Sequence, residues 1–247
     1  MKTAVVYVHP IKMAPGYDPA VEQVSGTYDE CAKRFVDTYR KFPGGAKHKL
    51  VVVFTGDWPN GEQISMYEGV EFMPLLYTGT GWCTGAHQYA ARNMGQCHFA
   101  VFSSNRTYFV KPGWLERLVS ERKKHGAGMY GTMANCQKGQ HLRTNFYGID
   151  PEHIGCRYEF NSRDDTWRFE HGDWSVSRFY RDAGMQSRLV TWDGSYGPDD
   201  WMKPANCFRV GDQSNLIVRD RHTLIFDNET EAHRDHLTRV TTGVTCD

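Results

Sequence analysis

The side chains able to do chemistry in this 247-residue chain do not assemble into a stand-alone motif. There is no Gly-x-x-x-x-Gly-Lys loop to cradle phosphates, no Gly-x-Gly-x-x-Gly after the first apolar run and no Gly-x-Ser-x-Gly elbow. Three large enzyme classes lose their simplest signature. His233 and His236, at i and i+3, could ligate a metal from one helix face, but a pair without a carboxylate or cysteine beside it is more often a surface feature. The seven cysteines (Cys31, Cys83, Cys97, Cys136, Cys156, Cys207, Cys246) are odd in number, scattered and without a Cys-x-x-Cys pair, so they read as reduced structural thiols. Lys plus Arg equals Asp plus Glu at 29 each, which leaves no global field to hold a polyanion.

The elements that must position any site are legible in the first half. Residues 3–8 form a short β-branched run that ends at His9-Pro10, a buried strand entering a loop. Tyr28, Cys31, Ala32, Phe35, Val36 and Tyr39 fall on one helical stripe, stopped by Pro43-Gly44-Gly45. Residues 49–54 are a second strand, cut off by Thr55-Gly56-Asp57-Trp58-Pro59. Residues 72–77 and 98–102 read as further strands. Ala86, Tyr89, Ala90 and Asn93 keep helical spacing between them, and Lys111-Pro112-Gly113 opens a helix with Trp114, Leu115, Leu118 and Val119 on its apolar face. Strand and helix alternate at least three times, which predicts an α/β fold with a mostly parallel central sheet flanked by helices. Ligands bind such sheets beyond the carboxyl ends of the strands. The corners at His9-Pro10, Thr55-Gly56-Asp57, Gly79-Thr80-Gly81 and Ser103-Ser104-Asn105 are therefore where a site is expected.

The second half is less regular. Residues 135–172 are polar and rich in Arg, Asn, Asp and Gly, a composition that suits site-building loops. A helix is expected over 176–183, capped by Asp173 or Ser175, with strands near 188–192 and 215–218 and a closing helix over 229–239. The apolar run at 4–8 is too short for a signal-peptide core, and nowhere do about 18 apolar residues run together. A cytoplasmic protein without a membrane span is expected, and the two sequons, at Asn105 and Asn228, carry no weight in that setting.

The stretch Gly79-Thr80-Gly81-Trp82-Cys83-Thr84-Gly85-Ala86-His87-Gln88-Tyr89-Ala90-Ala91-Arg92-Asn93-Met94-Gly95, the strand ending Phe102-Ser103-Ser104-Asn105 and the segment Lys111-Pro112-Gly113-Trp114-Leu115 resemble, in order and spacing, nucleotide-sugar-dependent glycosyltransferases of the GT-A fold. His141 to Phe146 and Arg168 to Asp173 are similar to the acceptor-side and acidic segments of bacterial or viral polysaccharide glycosyltransferases. The matching segments are short and span roughly residues 3–227. The resemblance implies one GT-A-like, Rossmann-like domain, with residues 1–134 as the nucleotide-sugar-binding half and 135–247 as a loop-rich acceptor and catalytic half.

One departure is central. Where the family places Asp-x-Asp, this chain has Ser103-Ser104-Asn105, two hydroxyls and an amide. Neutral oxygens alone hold Mg²⁺ or Mn²⁺ weakly, so no metal is expected to be required. Cations or helix N-termini must then neutralise a diphosphate leaving group. Arg219, Arg221 and His222 are candidates, with Arg92 and Arg106 beside them; the alternative is that these arginines pair at the surface with Asp220 and Asp227. For transfer with inversion, the place the family gives its base points to Glu170, with Asp173 second and Asp212 third. Asp173 also suits a helix cap and Asp212 a turn. By the same resemblance His9 and Pro10 line the base, Asp57 accepts from a ring N–H such as that of uracil, and Arg143, Thr144, Asn145 and Trp174 meet the acceptor. Trp82, Trp174 and Trp201 could stack on sugars, whereas Trp114 belongs to an apolar face.

The function so implied is glycosyl transfer from a nucleotide-diphosphate sugar such as a UDP-sugar to a hydroxyl acceptor. A glycan is the default, and a hydroxylated DNA base is the other candidate if Arg143, Arg157, Arg163 and Arg168 share a face. Two rivals are a non-catalytic nucleotide-sugar binder and a nucleotidyltransferase. The latter needs a carboxylate-rich metal site, for which Asp164-Asp165 and Asp199-Asp200 are the adjacent pairs.

Overall fold

The computed structural model describes residues 1–13, 16–156 and 158–243. Twelve strands occur among them: β1 (Thr3–Pro10), β2 (Lys49–Thr55), β3 (Met73–Tyr77), β4 (Phe99–Ser103), β5 (Tyr108–Phe109), β6 (Gly128–Gly131), β7 (Ala134–Asn135), β8 (His141–Leu142), β9 (Phe146–Ile149), β10 (Gln186–Val190), β11 (Ser195–Tyr196) and β12 (Val218–Arg219). The helices are α1 (Glu22–Ser25), α2 (Tyr28–Lys41), α3 (Gly61–Ser65), α4 (Trp82–Asn93), α5 (Trp114–His125), α6 (Glu152–Gly155), α7 (Arg163–Glu170), α8 (Val176–Asp182), α9 (Arg221–Asn228) and α10 (Glu231–Thr242). Eight strands make one sheet in the order β11-β10-β6-β9-β4-β1-β2-β3. Within it β3, β2, β1 and β4 run parallel, as do β10 and β6, while β9 runs against both β4 and β6. The expected mostly parallel α/β sheet is present, and its parallel strands all exit along one edge.

The alternation of the β strands sorts two cores onto the two sheet faces. Val5, Tyr7, Val52 and Phe54 pack with Phe35 of α2 and Trp114 and Leu118 of α5. Val6, Val8, Val51 and Val53 pack with Ala86 and Ala90 of α4, Phe169 of α7 and Tyr180 of α8. Helix α2 begins with a capping box in which Thr27 and Glu30 satisfy each other's backbone N–H. Helix α5 starts after Gly113, whose φ of 87° explains the glycine, and ends on the cations Arg122, Lys123 and Lys124, the charges its carboxyl end favours.

The differences from the sequence reading lie in the second half. The segment read as loops, 135–172, carries β8, β9, α6 and α7. Helix α7 escaped notice because its charged and aromatic residues face a cavity, so it shows no apolar stripe; only Phe169 is buried. The strand expected at 215–218 shortens to the two residues of β12, paired with β5. Neither expected cap of α8 forms: the helix begins at Val176 after Ser175, whose side chain makes no capping bond. No helix among the described residues is long and apolar enough to cross a membrane.

Candidate active site

The exits of β1, β2 and β4 open into a cavity of about 320 Å³. Val8, Pro10 and Thr55 form its floor, Tyr17, Val21 and Tyr28 one wall, and Arg143, Thr144 and Asn145 with the start of α9 the other. The remaining side comes from two helices. The amino end of α4 presents Trp82, Cys83 and Thr84, and α7 presents Arg163, Thr166, Trp167 and Glu170, spaced i, i+3, i+4 and i+7 on one face. Trp82 has a φ of +53°, a left-handed conformation uncommon for a bulky side chain. Strain of this kind persists where the surroundings hold it, often at a site.

Glu170 is one of three carboxylates that line the cavity, with Asp18 and Asp220. Its Oε2 accepts from the Thr144 backbone N–H at 2.9 Å and from the Thr144 hydroxyl at 2.5 Å, while Oε1 lies 3.7 Å from His141 Nε2. Burial acts to raise its pKa, but the imidazole of His141 nearby, the charge of Arg143 and the donors of Thr144 more than offset it. The side chain is therefore held well below the usual carboxylate range, ionised, with Oε1 on the less engaged side.

The opposite wall is cationic. Asp220 caps α9, its Oδ1 accepting from the backbone N–H of His222 (2.8 Å) and Thr223 (3.1 Å), and its Oδ2 from Arg143 Nη1 and Asn145 Nδ2, both at 3.1 Å. Burial raises its carboxyl and Arg143 chiefly lowers it, with a net downward shift. Behind this pair Arg209 donates to Thr241 Oγ1 and His222 Nδ1, both at 3.1 Å. Burial and the nearby Arg143 bring the guanidinium of Arg209 down to about 10 and His222 to about 3, so the imidazole is neutral. Arg221 has no carboxylate ion-pair partner among the described residues; its hydrogen-bond neighbour there is His222 Nε2 at 3.4 Å, and Asp220 acts on it only through space. Arg106 is fixed by Tyr17 Oη (2.8 Å), the Gly26 carbonyl (2.9 Å) and Ser25, with its guanidinium 5.4 Å above the Tyr28 ring. Arg163 lies between the indoles of Trp82 and Trp167, at 5.0 and 4.7 Å.

Of the residues singled out from sequence, the fold brings Pro10, Ser104, Asn105, Arg106, Arg143, Thr144, Asn145, Glu170, Arg221 and His222 to this cavity. His9 lies beneath the floor, fully buried, between Asp29 Oδ1 and Tyr67 Oη, each at 3.0 Å. Ser103 is buried and donates to the Ser104 carbonyl. Asp57 is exposed and ion-paired at 2.7 Å with Lys12, which itself lines the cavity. Arg92 sits in the last turn of α4, about 15 Å along the helix from Trp82, bound to the Gly155 carbonyl and Glu159. Arg219 pairs with Asp227 at 2.8 Å, as the surface alternative required, whereas Asp220 is a buried partner of Arg143. Asp173 is exposed and paired with Arg168, whose guanidinium covers Trp174 at 3.7 Å, and both acids and rings there line a separate groove. Asp212 caps the Ser214 N–H, Trp114 and Trp201 are core, and His233 pairs with Glu229. Arg143 is buried against Asp220 and Arg168 is neutralised by Asp173, so no common basic face forms with Arg163; Arg157 and Cys246 lie outside the described residues.

Tyr17, Tyr28, Trp167 and the buried role of Asp220 were missed. Asp220-Arg221-His222-Thr223 carries the spacing of a capping box and could have disclosed the last; nothing local marks the tyrosines. The residues leaving β4 do not fit a divalent cation. Ser104 Oγ is spent on Thr107 Oγ1 at 3.1 Å, and both Asp220 oxygens already hold two donors each. Among the described residues no group of three or more His, Cys, Asp and Glu could hold a metal.

No protein-family model matches the sequence, and no curated protein matches it. Solved structures do resemble the fold. A putative glucose-1-phosphate thymidylyltransferase from Bacillus anthracis, in complex with sucrose, superposes with a TM-score of 0.51 at 13% identity, covering 74% of this chain and 84% of its own. A putative nucleotide-diphospho-sugar transferase from Desulfovibrio desulfuricans gives 0.46 at 12% identity, covering 74% and 78%. At 13% identity the likeness is one of architecture: the chain shares the α/β fold of the thymidylyltransferase.

Proposed function

We propose that this chain is a glycosyltransferase of one GT-A-like domain, which moves a sugar from a nucleotide-diphosphate donor to a hydroxyl of a glycan acceptor with inversion. The observation that carries the reading is the pairing, inside one cavity at the strand exits, of an ionised Glu170 with a guanidinium wall whose Arg221 forms no carboxylate ion pair among the described residues. Guanidinium groups match phosphate oxygens in geometry and charge. Arg221, Arg106 and the amino end of α4 would take the diphosphate, and the Tyr17 and Tyr28 rings with Pro10 would pack the nucleoside.

In the transfer, the acceptor oxygen attacks the anomeric carbon as its proton passes to Glu170 Oε1. The bond from that carbon to the diphosphate oxygen breaks, and the electron pair leaves with the nucleoside diphosphate. The arginines stabilise the charge that develops there. Fixed by Thr144, Oε2 keeps the carboxylate aimed while Oε1 accepts. Exposed Trp167 and the Arg163 beside it supply an acceptor platform on the same face of α7.

The fold of the thymidylyltransferase favours nucleotidyl transfer as the second reading, but the adjacent acidic pairs that such chemistry would recruit, Asp164-Asp165 and Asp199-Asp200, do not line the cavity. Asp165 accepts from the hydroxyl of Ser162, the cap of α7, and Asp200 pairs with Lys203. A thermal-shift panel of UDP-, GDP-, CDP- and dTDP-sugars, with chelator and with Mn²⁺, tests the proposal. A ligand at 100 times its Kd adds about 2.7 kcal/mol, which is roughly 5–10 °C for a chain of this size. Glycosyl transfer predicts a shift with one donor that persists in chelator, followed by slow release of nucleoside diphosphate. Release of pyrophosphate from a nucleoside triphosphate and sugar phosphate establishes the second reading instead, and binding without turnover establishes a non-catalytic binder.

A further inference from the structure

A second cavity, of about 650 Å³, lies beyond the carboxyl end of β10. Strand β10 is parallel to β6 and stands three places from β4 in the sheet, so this cavity opens on the same edge as the first, roughly 15 Å along it at the ~4.8 Å spacing of strands. It is lined by Lys111, Trp192, Asp193, Asn206, Gln213 and Asn215, among others. Three features separate it from an incidental dent.

Asp193 is oriented by three donors, Thr191 Oγ1 at 2.6 Å, Asn215 Nδ2 at 2.7 Å and Tyr196 Oη at 3.1 Å, all converging on Oδ1. The second oxygen takes no side-chain donor among the described residues. Gln213 is 5% exposed, its Oε1 is buried without a partner, and its backbone is in the left-handed region at φ 57°. A buried amide oxygen left unsatisfied costs free energy unless a ligand or water completes it, and strain in a non-glycine residue accompanies such sites. Trp192 is tethered through its indole N–H to the Leu216 carbonyl at 2.7 Å, and its ring is covered by the exposed Lys111 ammonium at 4.3 Å. A rigid indole beneath a mobile side chain, edged by one aimed carboxylate and several amides, has the donor, acceptor and stacking chemistry that recognises a pyranose.

We infer that this cavity is a second saccharide site, in which a sugar ring displaces Lys111 from Trp192 and a hydroxyl donates to Asp193 Oδ2. Saccharide binding there stands on its own observations. That the sugar is a distal unit of an extended acceptor glycan, whose reacting end reaches Glu170, rests on the function proposed above. Gln213 also joins the two cavities: its Nε2 donates to the Thr223 carbonyl at 3.4 Å, and Thr223 belongs to the capping box of Asp220.

The test is titration of the intact chain with maltotetraose, cellotetraose, chitotetraose and mannotetraose, followed by the indole N–H resonance of Trp192. At least one tetrasaccharide is expected to move that resonance, to bind at least tenfold more tightly than its monosaccharide, and to bind undiminished in saturating UDP. Asp193→Asn is expected to weaken binding at least tenfold without altering UDP affinity, and Lys111→Ala, at an exposed position, to leave it unchanged or tighter. If no tetrasaccharide moves the Trp192 resonance, or if UDP competes with the sugar, the site is not there. Binding that survives while Glu170→Gln leaves turnover intact sinks the transfer reading and keeps the saccharide site.

Discussion

Replacing Glu170 with glutamine removes a proton acceptor while keeping the shape that holds it. The amide oxygen can still accept from the Thr144 N–H and hydroxyl that now meet Oε2 at 2.9 and 2.5 Å. The NH₂ then stands where Oε1 did, and it can only donate. Loss of a general base typically lowers turnover 10²- to 10⁴-fold, about 2.7–5.5 kcal/mol of barrier at 1.36 kcal/mol per tenfold. Donor affinity should hold within about twofold, because the arginine wall is untouched. Stability should fall by about 1.5–3 kcal/mol, the worth of hydrogen bonds to a charged group, since Arg143 loses an anion it faces. The sign of the pH dependence follows from the depressed carboxyl. Its stabilising contribution is complete above the unfolded value near ~4.3 and disappears as the pH falls through the lower folded value. The difference in Tm between wild type and Glu170→Gln should therefore be flat from pH 5 to 8 and shrink below pH 4. The assay is nucleoside diphosphate release under initial-rate conditions, alongside UDP titration. Turnover of the variant within tenfold of wild type would refute Glu170 as the base, and a Tm difference growing toward acid pH would refute the charge assignment.

Other perturbations separate the remaining roles. Arg143→Met leaves Asp220 buried without its hydrogen-bonded cation and should cost about 3–5 kcal/mol, on the order of 10 °C in Tm by calorimetry; a loss under 1 kcal/mol would mean the pair is dispensable. Arg221→Ala should weaken UDP about 10- to 100-fold and uridine hardly at all, as read by titration calorimetry, and an equal loss for both ligands would remove it from the diphosphate site. Asp173→Asn should leave both turnover and Tm unchanged, because the carboxylate is solvent-exposed on Arg168; a hundredfold loss of rate would return it to the mechanism.

The first half of the molecule was legible because its signals are local. Runs of β-branched residues, one apolar helical stripe and glycine or proline stops sort by period alone, and β1, β2, β4, α2 and α5 follow them. The order of strands and corners also placed Pro10, Ser104 and Asn105 at the cavity, since a parallel sheet delivers its strand exits to one edge. What the chain could not disclose locally is which charges meet. Arg219 and Arg221 stand two residues apart; β12 turns one toward Asp227, while the start of α9 turns the other into the cavity. Glu170 and Asp173 likewise differ only in that α7 carries the first inward and ends before the second, which stays in solvent. Burial and partner choice are set by residues remote in sequence, here Thr144 for Glu170 and Arg143 for Asp220. The sequence by itself therefore determined the α/β framework and the edge where the strand exits meet, and tertiary packing decided which carboxylate is held ionised and which guanidinium is left without a carboxylate ion pair among the described residues.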